Sequence, residues 1–221
     1  METRILTAGA DKGITRPLYE AVFSDPPVFV DFYYREICPE NTVFCRVEDG
    51  RAVSMLHLNP YRLRFCGAEI QGWYMVAVAT DPAYRHRGLM AGLIREAADW
   101  LRARHVPFVY LMPVDERIYA GQDFHTVCPF AGWEAPDGPL ESQFDLYCVP
   151  DERYCRLRAA EQALGEEEDG LPPHPVFMFR ITDETRFGAL SGLDRKLGRT
   201  PAPDECITFL RRLRIRLAED V

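Results

Sequence analysis

The chain has 221 residues, 47% of them apolar and 27% charged, with a formal net charge of −8. That composition supports one ordinary hydrophobic core and excludes a disordered or fibrous chain. No stretch approaches 18 uninterrupted apolar residues, which excludes a membrane-spanning helix. An acidic chain without a basic cluster over its first 200 residues also fits general nucleic-acid binding poorly.

The opening segment, METRILTAGADKG, lacks the basic-then-apolar profile of a signal peptide, so a cytoplasmic location is expected. ITRPLYEAVF (14–23) places Ile14, Leu18, Ala21 and Val22 at helical spacing, with Pro17 tolerable in a first turn. After the break at 24–27, VFVDFYYREI (28–37) predicts a second, aromatic-rich helix. From residue 42 the period changes. TVFCRV (42–47), the turn EDGR and AVSMLHL (52–58) predict an antiparallel hairpin. Asn59-Pro60 is read as an interruption, YRLRFC (61–66) as a third strand and 66–72 as a loop or short extension. WYMVAVAT (73–80) is almost wholly apolar, as a central strand covered on both faces would be.

LMAGLIREAADWLRARH (89–105) carries the strongest helical pattern, with Leu89, Leu93, Ala97 and Leu101 in one line. VPFVYLMP (106–113) follows as a strand, so 73–112 reads as a βαβ unit with a partly parallel sheet. A short helix is expected within 115–124, and 125–134 with 143–149 are expected to form a closing hairpin. Beyond Pro150 come a helix (151–165), an acidic turn (166–170), a strand (176–182), at most a short helix around 186–197, and an ending at 206–221 that fits helix or strand.

The basic residues are 24 Arg against 2 Lys, Lys12 and Lys196. Arginine suits anionic ligands such as phosphates, although codon bias produces the same skew. Seven cysteines, odd in number and without a CxxC pair, read as reduced thiols rather than a disulfide scaffold or zinc site. His57, His86, His105, His125 and His174 show no metal-ligand spacing, so no metal is expected.

The chemistry concentrates in VAVATDPAYRHRGLM (76–90). A central strand runs through a short loop into a helix whose first turn is read as Arg85-His86-Arg87-Gly88-Leu89-Met90. A helix N-terminus leaves unpaired N–H groups and a partial positive charge that hold an anion. Gly88 lets a phosphate approach the backbone, and Arg85 and Arg87 add charge. A merely solvated Arg-rich helix start is the alternative. Neither a Walker A loop nor a GxGxxG fingerprint is present.

This segment resembles the pyrophosphate loop of the GNAT acetyltransferases, written [QR]xxGx[GA], with Met90 where Gly or Ala is usual. The resemblance implies a GNAT fold of α/β (α+β) class, a mixed central sheet flanked by helices. It implies acetyl-CoA as cosubstrate, held by Val76, Ala77 and Val78 of the central strand and by Arg85, His86, Arg87, Gly88, Leu89 and Met90. Tyr119 to Phe124 resembles the family's YxxxGF, with Asp123 in place of Gly, which makes Tyr119 the proton donor to the leaving thiolate. No motif assigns a general base; Glu69 is the leading candidate, followed by Asp31, Glu36 and the carboxylate of Val221.

The wording of 23–67 and 72–97 is similar to the Eis-like branch. Those proteins usually continue into further domains. The chain therefore reads as a GNAT domain (1–150) and a shortened C-terminal region (151–221), the latter a remnant of a second GNAT-like region. The expected activity is acetyl transfer to a small-molecule or lysine-type primary amine. The alternative is a GNAT-shaped CoA-binding or regulatory module without transfer. No nucleic-acid or membrane partner is expected, and a homo-oligomer is compatible, since 143–182 could complete a partner's sheet or its own. Phe29, Phe32, Tyr33, Tyr34, Phe130 and Trp133 are expected around the acceptor, with Asp31, Glu36 and Glu69 either favouring a cationic one or facing solvent.

Overall fold

The computed structural model describes residues 1–132, 137–164 and 173–217. Trp133, the acidic turn at 166–170 and Val221 lie outside the described residues. The first element is one the sequence did not announce. Glu2–Leu6 (β1) pairs antiparallel with Thr42–Glu48 (β2), Glu2 opposite Val47. It is a short, mostly exposed edge strand carrying Glu2 and Arg4, so it lacks the apolar alternation by which strands are recognised.

The two N-terminal helices form as predicted: Arg16–Val22 (α1), with Pro17 in its first turn, and Pro27–Phe32 (α2), continued by a π-helical turn at Tyr33–Ile37. Their buried faces, Leu18, Phe29, Val30 and Phe32, share a core with Cys45, Met55, Ala77 and Ala79 of the sheet.

Arg51–Phe65 (β3) and Ala68–Thr80 (β4) form one long hairpin, from Phe65↔Ala68 to Ser54↔Thr80. Two expectations are corrected here. Asn59-Pro60 does not divide β3. Pro60 lies beyond Leu58, the last residue paired to β2, and before Leu63, where the next partner begins. One side of the strand has no partner there, which is where a residue without an N–H is tolerated. Nor is 66–72 a loop, because the reversal takes only Cys66 and Gly67, both at positive φ (48° and 83°), as a tight two-residue hairpin turn requires.

Gly72 on β4 is buried against β3. A Cβ there would stand 2.3 Å from Leu63 Cδ1 and 2.5 Å from its Cγ. Gly72→Ala is expected to cost about 2 kcal/mol by overpacking. Thermal unfolding should show it as a fall in Tm of about 4–8 °C.

Leu89–Arg102 (α3) crosses the face opposite α1 and α2, burying Leu93, Ile94, Ala97 and Leu101 against Phe44, Leu56 and Leu58. Phe108–Leu111 (β5) then returns parallel to β4, and Glu116–Ala120 (α4) leads into His125–Pro129 (β6). After Leu140–Gln143 (α5) come Leu146–Cys148 (β7), Glu152–Gln162 (α6) and Val176–Ile181 (β8). Glu184–Ser191 (α7), Leu193–Leu197 (α8), Pro203–Leu210 (α9) and Ile215–Arg216 (β9) follow. The ambiguous ending is thus both helix and strand.

The strand order among the described residues is β1-β2-β3-β4-β5-β8-β6, with β7 on the outer part of β3 and β9 beside β7. The closing hairpin expected from 125–134 and 143–149 does not form. β6 pairs antiparallel with β8, β8 sits between β5 and β6, and β7 pairs with Leu63–Phe65 of β3 instead. Residues 151–221, expected as an appendage, therefore place a strand inside the sheet built by the first 150. The result is a mixed central sheet with helices on both faces.

Candidate active site

β4 and β5 touch at one register pair, Tyr74↔Tyr110, whose rings lie 5.4 Å apart. Beyond it β4 continues to Thr80 while β5 ends at Leu111, leaving an opening where the pairing stops. The sequence of β4 enforces the separation with one extra residue. Met55 pairs with Ala79 but His57 pairs with Val76, and Ala77 takes a positive φ of 51°. Such a bulge bends its strand and re-aims its backbone. Val76, Ala77 and Val78 thus stand at the opening, with no strand paired to them on that side among the described residues.

The loop after β4 is built by its own polar groups. Asp81 accepts from the Ala83 N–H at 2.9 Å and caps a short 3₁₀ turn. Arg85 Nε donates to the Thr80 carbonyl at 3.1 Å, and Arg87 donates to the Ala83 carbonyl at 2.8 Å while lying over the Tyr84 ring. The helix starts at Leu89, as the 89–105 pattern predicts, but residues 85–88 lie in the loop rather than in its first turn, because Gly88 is the N-cap at a φ of 73°, in the left-handed region. That φ gives Gly88 a reason the sequence did not supply. With glycine at the cap, no side chain bonds the helix start, and the first intrahelical bond is Gly92 N–H to Gly88 O at 3.0 Å. The N–H groups of Leu89, Met90 and Ala91 remain open to an anion, with exposed Arg85, His86 and Arg87 beside them. Met90 packs its side chain on the core below.

Tyr119 lies near the end of α4, the helix that follows β5 and that Asp115 caps at its start. It is buried, with its ring against Phe124, and among the described residues its hydroxyl has no hydrogen-bond partner. Burial pushes that hydroxyl up to about 12. The chain reverses straight after it. The Gln122 N–H donates to the Tyr119 carbonyl at 2.8 Å, and Asp123 takes a φ of 59°. That conformation is why the motif carries glycine at this place.

Glu69 is not brought to this opening. It lies seven residues before Val76 on β4, about 23 Å along an extended strand. Arg62 holds its carboxylate at 2.6 Å and Arg64 lies 3.8 Å away. Asp31 is likewise bound to Arg16 at 2.6 Å, and Glu36 to Arg35 at 3.0 Å and Arg156 at 3.1 Å. These carboxylates are surface ion pairs rather than a free acidic lining.

Beneath the point where β4 and β5 part lies a polar cluster that no sequence motif marks. His57, opposite Val76, and Asn59, opposite Tyr74, point from β3 to the α2 side. There Tyr33 Oη lies 3.0 Å from His57 Nδ1 and 3.4 Å from Asn59 Oδ1, and accepts from Asn41 at 3.2 Å. His57 is fully buried, and desolvation pushes it down to about 3. The available signal was the pair of polar residues two apart on one face of an apolar strand. Nor does a motif mark Arg180. It reaches from β8 to the turn after Tyr119, donating to the Gln122 carbonyl at 3.1 Å.

Residues 11–127 match the family described as "Acetyltransferase (GNAT) domain". Among solved structures the chain resembles a GCN5-related N-acetyltransferase from Anabaena variabilis, at 18% identity and a TM-score of 0.50, over 58% of this chain and 33% of that one. It resembles Eis1 from Mycobacterium abscessus at 12% identity and 0.53, over 79% of this chain and 50% of that one. It resembles the GNAT family N-acetyltransferase YhbS of Escherichia coli, in complex with CoA, at 15% and 0.53, over 86% and 84%. The chain spans about a third of the length of the Anabaena structure. At these identities the likeness is one of fold. No curated protein matches the chain. No helix among the described residues is long and apolar enough to cross a membrane.

Proposed function

The chain belongs to the GNAT acetyltransferase family, and from that premise we propose that it transfers an acetyl group from acetyl-CoA to a primary amine of a small-molecule or lysine-type acceptor in the cytoplasm. One observation carries the reading. The unpaired edge of β4 at Val76–Val78 and the uncapped start of α3 at Leu89–Ala91 stand at the two ends of one loop. Together they offer a peptide-like edge for a pantetheine arm and a cradle of N–H groups for its pyrophosphate. Bound there, acetyl-CoA supplies an acetyl group activated as a thioester.

The chain's own residues do the rest. The Val78 N–H polarises the acyl carbonyl. The opening holds the reactants together, which removes much of the entropic barrier. Tyr119 keeps its proton at neutral pH and donates it to the departing sulfur, while the attacking neutral amine sheds one N–H proton to solvent, from which the phenol is restored. Glu69 has no part in this reading, since Arg62 and Arg64 hold it at the far end of β4. The Eis-like wording of the N-terminal half favours that branch of the family. A second reading, a CoA-binding module without transfer, is favoured by one observation: Glu69, Asp31 and Glu36 are all neutralised by arginines.

Titration calorimetry with acetyl-CoA tests the common premise. Binding below millimolar concentration is expected, and no heat at millimolar cofactor removes both readings. Gly88→Glu places a carboxylate and a Cβ in the left-handed cap, and should weaken binding about tenfold or more. Release of CoA thiol in the presence of a lysine peptide, a polyamine and a simple alkylamine separates transfer from binding alone.

A further inference from the structure

Two arginines from beyond residue 176 brace the segment that carries Tyr119. Arg180, on β8 opposite Val109, sends its half-buried guanidinium to the turn between α4 and β6. Its Nη1 donates to the Gln122 carbonyl at 3.1 Å, and its Nη2 lies 3.5 Å from the Asp123 carboxylate. Arg211, just past α9, donates to the Thr126 carbonyl at 2.9 Å, and Thr126 bonds Glu116 at the start of α4. The turn needs such support, because Asp123 sits at a φ of 59° without the freedom of glycine.

We infer that Arg180 is a positioning residue that fixes Tyr119 at the opening by clamping the Gln122–Asp123 turn, so that the C-terminal region completes the site. Arginine suits the task because one planar fork addresses a carbonyl and a carboxylate at once. The inference rests on the reading of Tyr119 as proton donor, but its test does not require turnover.

The protein is labelled with ¹³C at tyrosine Cζ, and the Tyr119 signal is assigned from Tyr119→Phe. In Arg180→Met, which keeps the apolar stem, the Tyr119 signal should shift while those of Tyr33, Tyr74 and Tyr110 hold. The Gln122 amide, now bonded to the Tyr119 carbonyl, should exchange with solvent about tenfold faster or more, as the loss of a charge-assisted bond predicts. Arg180→Lys should restore part of the protection. Asp123→Gly in the Arg180→Met background should restore part as well, by relieving the turn. An unmoved Tyr119 signal with unchanged Gln122 exchange overturns the inference. So does a shift spread over all the tyrosines, which marks general loosening, and if Arg180→Met does not fold, the same readouts on Arg180→Gln decide. Failure of the functional reading looks different: acetyl-CoA does not bind, or Tyr119→Phe keeps its rate, whatever the exchange shows.

Discussion

Tyr119→Phe is expected to lower kcat by about 10²–10³, in the range of a lost general acid, while the Kd for acetyl-CoA changes less than about twofold. The split follows from where the hydroxyl sits. It has no hydrogen-bond partner among the described residues, so its removal breaks no bond that holds the fold. The cofactor groups lie on β4 and at the start of α3, which the substitution does not touch. The pH profile adds a second check. A phenol ordinarily loses its proton near pH 10, but burial holds Tyr119 to about 12. The wild-type rate should rise as the acceptor amine deprotonates and show no fall near pH 10. A variant that binds cofactor and keeps the full rate removes Tyr119 from the mechanism.

The largest stability effect is expected at His57. Its pKa is about 3 when folded against 6.5 when exposed, so below pH 6.5 the unfolded chain takes up a proton that the folded chain refuses. The contribution is complete above pH 6.5 and is lost as the pH falls towards 3. Its slope is about 1.4 kcal/mol per pH unit, on the order of 5 kcal/mol over the whole window. Full burial means that solvent screening does not diminish it. Denaturant unfolding at pH 7, 6, 5 and 4 checks this against His57→Leu. The variant loses the Tyr33 bond at every pH but should show a shallower decline. Parallel declines refute the assignment. The carboxylates that arginines hold low, Glu205 (down to about 2), Glu2, Glu36, Asp115 and Asp145, are common to both proteins and cancel.

Where the determinants were local, the sequence was legible. The βαβ unit from Trp73 to Met112 could be read because its period, its glycine and its arginines all lie within one run of chain. The Asp49-Gly50 turn could be read because a two-residue hairpin needs positive φ at both positions. The errors are non-local. Val176–Ile181 alternates plainly as a strand, but nothing in its residues says that it enters between β5 and β6. Glu69 looked free because its partners, Arg64 directly opposite and Arg62 on the diagonal, reach it only once the 66–67 turn is placed. His57 looked like one more strand residue until Tyr33, 24 positions earlier, closed on it.

The place of β8 also bears on how the protein is born. β5 is a run of four fully apolar or aromatic residues, Phe108 to Leu111, and one of its edges waits for a partner about 70 residues further along. At ribosomal rates of about 5–20 residues per second, that edge stays open for roughly 4–14 s before Ile181 is made. Unpaired apolar edges recruit the wrong strands. During that interval the edge is open to mispairing, and slowed synthesis between residues 112 and 181 should lower the soluble yield.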